Sequence, residues 1–233
     1  MSKIKDILKG LYELLYPRLC LCCLEEKTAG PDTVFCVKCH SNFPFTDYFE
    51  NADNLLMHHF YGRVKIEKAA SLMYFREGNL VQQMLHNLKY KGMRAVGTDL
   101  GAMAADRMLS SGFYKGITAI VPVPMHVVKK QQRGYNQSEV IAQKMSEQLN
   151  LPMLNQVLIK NKSTVTQTHK GRQERLENIG GSFMCKDEQQ LQGQHVLLVD
   201  DVATTGATLE ACMLAMRASG NPLISVFTVA IAE

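Results

Sequence analysis

The stretch Val196-Leu197-Leu198-Val199-Asp200-Asp201-Val202-Ala203-Thr204-Thr205-Gly206-Ala207-Thr208 decides how this chain is read. Four apolar β-formers run into two adjacent carboxylates, and these run into a Thr/Gly-rich turn that opens an amphipathic stretch over residues 209–216. A strand that is apolar at every position is buried on both faces, as in a parallel α/β sheet, where ligands sit beyond the carboxyl ends of the strands. Asp200 and Asp201 are therefore expected at the mouth of a ligand site. Consecutive carboxylates there can hold the vicinal hydroxyls of a ribose, directly or through Mg²⁺. The turn over residues 204–208 offers backbone N–H groups, hydroxyls and the positive end of a helix dipole, which together suit a phosphate. Gly206 lets the backbone approach the ligand closely and can take a positive φ. A solvated turn before an ordinary helix would require the apolar run, the acid pair and the Thr/Gly turn to coincide by accident.

A second cluster lies near the amino terminus. Five of the seven cysteines crowd into Cys20-Leu21-Cys22-Cys23 and Cys36-Val37-Lys38-Cys39. Two C-x-x-C pairs separated by twelve residues supply four thiolates able to close a tetrahedron, the arrangement of a structural zinc site. The assigned ligands are Cys20, Cys23, Cys36 and Cys39. Cys22 is either a bystander or a replacement for a neighbour, and His40 is a weaker reserve. A disulfide framework needs an oxidising compartment, and nothing in the chain directs it out of the cytoplasm. A redox C-x-x-C follows a strand in a βαβ unit, whereas these pairs follow Tyr16-Pro17-Arg18 and precede a turn-rich segment. Cys185 and Cys212 sit in apolar surroundings and read as packing residues.

With 233 residues, 46% of them hydrophobic, the chain suits one α/β domain with a small appendage. Residues 1–16 carry Ile4, Ile7, Leu8, Leu11, Leu14 and Leu15, interrupted by Asp6, Lys9 and Glu13. This spacing predicts an amphipathic helix packed on the protein rather than a signal peptide or a membrane-surface helix, which would show a basic stripe. No stretch approaches the roughly 20 uninterrupted apolar residues of a membrane span, so a cytoplasmic location is expected. The formal net charge is +4, but residues 126–175 hold nine Lys/Arg against three Glu and no Asp. A basic middle fits binding of a pyrophosphate or of a nucleic acid backbone.

Periodicity predicts a turn-rich linker over residues 43–54, a strand over 68–75 and helices over 78–89 and 96–109. An alternating series follows: strand 119–124, helix 138–149, strand 153–159, a long polar stretch, strand 195–199, helix 209–218 and strand 224–230. Such alternation gives a parallel sheet with helices on both faces. The expected organisation is an amphipathic helix plus zinc module over 1–50, a hood or connecting segment over 51–115, and the α/β core over 116–233.

Two further pieces belong to the ligand site. Val121-Pro122-Val123-Pro124-Met125-His126 ends one strand, and Arg133-Gly134-Tyr135-Asn136-Gln137-Ser138 opens the next helix, with Lys129 and Lys130 nearby. This makes an anion site at a helix N-terminus suited to a pyrophosphate, although Asn136 or Ser138 could equally serve as a plain N-cap. Residues 161–181 are polar and unpatterned and include Thr166, Gln167, Thr168, His169, Lys170, Arg172, Arg175 and Asn178. A segment of this length suits a flap whose arginines close over a polyphosphate.

The acid-pair segment resembles the phosphoribosyl-pyrophosphate (PRPP) signature of type I phosphoribosyltransferases. The Cys-rich pairs, Leu88-Lys89-Tyr90, Val121-Pro122-Val123-Pro124, Arg133-Gly134-Tyr135-Asn136-Gln137-Ser138, Thr166-Gln167, the segment 172–178 and the acid-pair loop occur in that order. Together they resemble the ComF family, phosphoribosyltransferase-like proteins linked to DNA uptake in natural transformation. The resemblance implies that Asp200 and Asp201 take the ribose, and that Thr204, Thr205, Gly206, Ala207 and Thr208 take the 5′-phosphate. Transfer chemistry of the glycosyltransferase class, with Mg²⁺ beside PRPP, would use Arg133, Arg172 or Arg175 to steady the departing pyrophosphate. The acceptor is left open. The alternative implied by the same family is a non-catalytic single-stranded DNA-binding adaptor, with a DNA translocase and a DNA-loading protein as partners.

Overall fold

A parallel four-stranded sheet carries the structure, a computed structural model that describes residues 17–90, 92–160 and 182–232. In chain order its elements begin with α1 (Val37–Ser41), α2 (Leu55–His58), β1 (Lys68–Phe75), α3 (Leu80–Tyr90) and α4 (Arg94–Ser111). Then come β2 (Ala119–Pro122), α5 (Val127–Arg133), α6 (Gln137–Leu149), β3 (Leu158–Lys160) and β4 (Phe183–Cys185). The chain closes with β5 (His195–Ala203), α7 (Ala207–Ser219) and β6 (Leu223–Ala232). The amphipathic helix expected over residues 1–16 and the polar segment 161–181 lie outside the described residues. Among the described residues no helix is long and apolar enough to cross a membrane.

The strand order is β1-β6-β5-β2, and all three pairings are parallel. Val196 to Val199 of β5 and Val226, Phe227 and Val229 to Ile231 of β6 are fully buried, as apolar strands covered on both faces must be. Beyond β2, Met153 makes a parallel bridge to Ile120, a rudimentary fifth position. The strand expected over 153–159 is split there: Gln156, at φ 72°, turns the chain, and β3 leaves the sheet to pair antiparallel with β4. β1, which lies in the segment read as hood or connection, hydrogen-bonds along β6 as an edge strand of the main sheet. Its free side is covered by the stretch read as a linker: Thr46 N–H donates to Leu72 O at 3.1 Å and Tyr74 N–H to Pro44 O at 2.9 Å.

Helix α4 sets the position of α6. Gly97 and Gly101 lie one turn apart on α4 and face α6 so closely that a Cβ on Gly101 would stand 2.6 Å from Ile141 O and 2.9 Å from Lys144 Cβ. Gly is otherwise about 1 kcal/mol worse than Ala inside a helix, so close packing is the reason for it here. Gly101→Ala is expected to lower stability by about 1–3 kcal/mol in urea unfolding, against the helix-propensity trend. An unchanged or raised midpoint would show that α4 and α6 do not need this approach.

Candidate functional site at the carboxyl ends of two strands

From β2 the chain passes through α6 outward to Met153, whereas from β5 it passes through α7 the opposite way to β6. The strand order therefore reverses between β2 and β5, and such a switch point opens a crevice at the carboxyl ends of the strands. With right-handed crossovers, α6 and α7 lie on opposite faces, and both present their N-termini to that crevice. β2 pairs with β5 only as far as Pro122 opposite Val199, while β5 continues along β6 to Ala203. Asp200 and Asp201 thus belong to the last residues of a strand rather than to a tip beyond it. They stand where one neighbouring strand has ended and the other has not.

The two acids differ in surroundings. Asp200 is buried, and its Oδ1 accepts from Ser138 Oγ and from Asp201 N–H, each at 2.9 Å. Its carboxyl is pushed up to about 7, first by burial and then by the charge of Asp201; these two hydrogen bonds and the Lys89 ammonium pull the other way. Asp201 accepts an ion pair at Oδ2 from Lys89 Nζ at 2.9 Å, with side chains 14% and 22% exposed respectively. Ser138 belongs to the first turn of α6, whose N-cap is Asn136: the Asn136 side chain accepts from Ser138 N–H, and its Nδ2 donates to Val123 O at 2.9 Å. Capping thus clamps the α6 N-terminus onto the end of β2.

Residues 204–206 form the turn after β5, and Gly206 stands before α7 at φ 73° without a side-chain cap on the helix. Thr204, Thr205, Ala207 and Thr208 are exposed. The first-turn N–H groups of this 13-residue helix suit an anion, and one of them, that of Ala207, donates to Thr205 Oγ1 at 3.4 Å. Gly206 is enclosed from the other side: a Cβ there would lie 3.1 Å from Phe60 Cε1 and 3.6 Å from His59 Cβ. Arg63, a few residues on, pairs with Glu210 in the first turn of α7. Residues just after α2 therefore back the phosphate-suited turn.

Arg133 ends α5 and is half-buried; its guanidinium donates to Gln137 Oε1 at 3.2 Å and lies 5.2 Å from the centre of the Tyr90 ring. Tyr135 Oη donates to Leu88 O. These contacts bring the 88–90 and 133–138 motifs together beside the acid pair. Arg172 and Arg175 lie outside the described residues. The sequence reading gave no role to Lys89, because a lysine in the last turn of an amphipathic helix looks like any solvated cation. It also did not place Phe60, His59 or Arg63 near the turn, since only folding joins them. A hollow of about 440 Å³ along α6, lined by Arg94, Thr98, Val140 and Lys144 among others, excludes the acid pair and residues 204–208.

Cys20, Cys23, Cys36 and Cys39 converge, their sulfurs all within 4.8 Å of one another, with Cys23 and Cys36 at 4.0 Å. Thiolates about 2.3 Å from a tetrahedral ion stand at nearly this spacing. Cys22 N–H donates to Cys20 Sγ at 3.4 Å and Cys39 N–H to Cys36 Sγ at 3.3 Å, bonds that stabilise thiolate. Burial raises the Cys23 thiol, but the N–H groups of Glu26 and Glu25 and the Cys39 and Cys20 thiols together outweigh it and bring the thiol down to about 7. Cys22 points elsewhere, its thiol donating to Leu80 O at 3.6 Å and pushed up to about 11 by burial. The four cysteines form a set able to hold a metal ion, and His40 is not part of it.

The phosphoribosyl transferase domain family matches residues 108–230. Competence protein F of Haemophilus influenzae is 35% identical over 113 residues, 48% of this chain and 49% of that protein. DNA utilization protein YhgH of Escherichia coli K12 is 26% identical over 147 residues, 62% of this chain and 64% of that one. The chain thus spans between about half and two thirds of the length of these curated relatives. Among solved structures, an APRTase from Giardia lamblia complexed with 9-deazaadenine superposes with a TM-score of 0.37 and 17% identity, over 66% of this chain and 85% of that one.

The raised Asp200 carboxyl has a consequence for stability. Its ordinary value is 3.8 and its folded value about 7. Folding therefore binds a proton between these values, and the contribution of Asp200 is greatest below pH 3.8 and lost as pH rises through 7. Asp200→Asn keeps an acceptor for Ser138 but removes the charge. It is expected to be more stable than the wild type at pH 8, by on the order of 1–3 kcal/mol in urea unfolding, with the difference vanishing near pH 4. A variant that is less stable at pH 8 would contradict the buried, disfavoured charge.

Proposed function

Because the chain belongs to the phosphoribosyl transferase domain family, and within it to the ComF family, we propose that it binds PRPP or a related phosphorylated ribose in the crevice between β2 and β5. One observation carries this reading: an acid pair stands at the switch point, between the N-terminus of α7 on one side and the Arg133–Ser138 segment that leads into α6 on the other. In it the ribose hydroxyls meet Asp200 and Asp201, and the 5′-phosphate meets the N–H groups of residues 204–208. The pyrophosphate lies toward Arg133 and the start of α6, with Arg172 and Arg175 assigned to close over it. Transfer of the ribosyl group would use charge and positioning, as donors already fixed in place hold the leaving pyrophosphate while positive charge develops at C1.

The acid pair does not fit a divalent ion held by both carboxylates in this arrangement. Asp200 Oδ1 already accepts two hydrogen bonds and Asp201 Oδ2 holds an ammonium, whereas Mg²⁺ demands near-octahedral oxygen ligation. The four thiols do fit zinc, which would act as a structural staple for residues 17–43, a segment too short for a large core of its own. Thiolate ligation fits a reducing cytoplasm, where we place the chain.

Names of relatives that refer to competence and to DNA utilization link the site to DNA uptake. A second reading, an adaptor that binds single-stranded DNA beside a translocase and a DNA-loading protein, is favoured by one surface. Tyr90 is 65% exposed, with the His86 ring tilted at 41° and 4.9 Å from it and Arg133 above the ring. Beside it α5 carries Lys129, Lys130 and Arg133 and has no buried residue. Exposed aromatics among cations suit stacking bases and their phosphates.

Thermal shift with PRPP separates the readings. At about 100 times its Kd, a ligand of the native state adds about 2.7 kcal/mol. The gain is expected in the wild type and not in Asp200→Asn/Asp201→Asn; no shift in the wild type sinks the phosphoribose reading. In fluorescence anisotropy with labelled single-stranded DNA, Tyr90→Ala is expected to weaken binding by about 1–3 kcal/mol if α5 and Tyr90 form the nucleic-acid surface. Metal analysis is expected to return one zinc per chain, lost in Cys36→Ser/Cys39→Ser; retention of zinc in that variant would refute the ligand set.

A further inference from the structure

On the reading of the crevice as a phosphoribose site, we propose that Lys89 is the resident countercation of the acid pair, occupying the side of Asp201 that a divalent cation would otherwise take. The ribose would then be gripped by carboxylates whose charge is partly offset within the chain.

Two carboxylates side by side, one of them buried, are a poor welcome for a ligand that itself carries several negative charges. Something must offset them. Lys89 Nζ stands 2.9 Å from Asp201 Oδ2, and neither side chain is more than 22% exposed, so this is not the freely solvated pair whose contribution is near zero. Its charge also reaches Asp200, where it opposes the effects of burial and of Asp201.

Lys89 is held in this place by its neighbours in sequence. The buried Asn87 donates from Nδ2 to Leu21 O at 2.8 Å, which ties α3 to the cysteine module. Leu88 O accepts the Tyr135 hydroxyl, and Tyr90 lies under Arg133. Residues on both sides of Lys89 are thus pinned, one to the cysteine module and two to the junction between α5 and α6. An ammonium on so constrained a helix end is built in, unlike a flexible surface lysine that happens to swing onto an acid. Lys89 also sits in the last turn of α3, where the helix dipole favours a cation even before Asp201 is considered. The helix end and Asp201 therefore both attract the Lys89 ammonium toward the crevice.

The consequence is a site that resists divalent ions until Lys89 is removed. Mn²⁺ titration followed by electron paramagnetic resonance reads this directly on zinc-loaded protein at pH 8. Lys89→Met is expected to gain one Mn²⁺ site per chain, bound about tenfold more tightly than in the wild type or in Lys89→Arg. Lys89→Met/Asp201→Asn is expected to lose it. Equal Mn²⁺ binding by the wild type and Lys89→Met, or a gained site that survives Asp201→Asn, would overturn the proposal. Lys89→Gln serves in the same series if the methionine variant does not fold.

Calorimetry with ribose 5-phosphate in buffer freed of divalent cations supplies the second arm. The wild type is expected to bind, with Lys89→Met about tenfold weaker and restored by Mn²⁺. Wild-type binding that appears only with a divalent cation would overturn the resident role of Lys89. Failure of the wild type to bind under any condition would instead sink the phosphoribose reading, while the Mn²⁺ titration still judges Lys89 on its own.

Discussion

The carboxylate of Asp200, buried and held by the Ser138 hydroxyl, is the contact on which the site depends. It joins the end of β5 to the first turn of α6 across the crevice, and so it fixes how far apart the two helix N-termini stand. A charged group in that position is costly, which is why burial and the neighbouring acid push its proton affinity up. Such a cost persists where the group is needed for what the site does rather than for folding. A neutral residue at 200 would make an easier strand.

Support for this contact arrives from distant parts of the chain. Gly97 and Gly101 let α4 lie against α6, and α6 in turn delivers Asn136, Gln137 and Ser138 to the end of β2. The cysteine module reaches the site by another route. Thr33 Oγ1 and Val34 N–H donate to Asp99 Oδ2 on α4 at 2.7 and 2.8 Å, and Asn87 binds Leu21 O. The segment that would hold zinc therefore bears on both helices that carry or position the residues around the acid pair. A structural metal there would be coupled to the crevice through rigid elements, even though no cysteine of the cluster lies in it.

Much of the arrangement was legible in the sequence. Uninterrupted apolar runs announced buried parallel strands, and two C-x-x-C pairs at fixed spacing announced a convergent set of thiols. Both are local patterns whose physics needs no distant partner: a period in hydrophobicity, or a spacing set by the reach of a few residues. The limits of strands were less legible. Asp200 and Asp201 read as a tip beyond β5 because charged residues disfavour strands, yet β6 extends far enough to keep pairing with Val202 and Ala203. Likewise, nothing in residues 153–159 disclosed that Gln156 would turn the chain out of the sheet.

The sequence by itself determined β2, β5 and β6 as buried strands of a parallel sheet and the run of acidic and Thr/Gly residues that follows β5's apolar stretch, because these follow from residue type and near neighbours. Only the tertiary structure decided which of two adjacent aspartates turns inward to Ser138 and which faces Lys89, and that Phe60 closes behind Gly206. Those choices depend on where separate elements come to rest against one another. Contacts between residues tens of positions apart leave no periodic trace in the chain, so packing alone selects them.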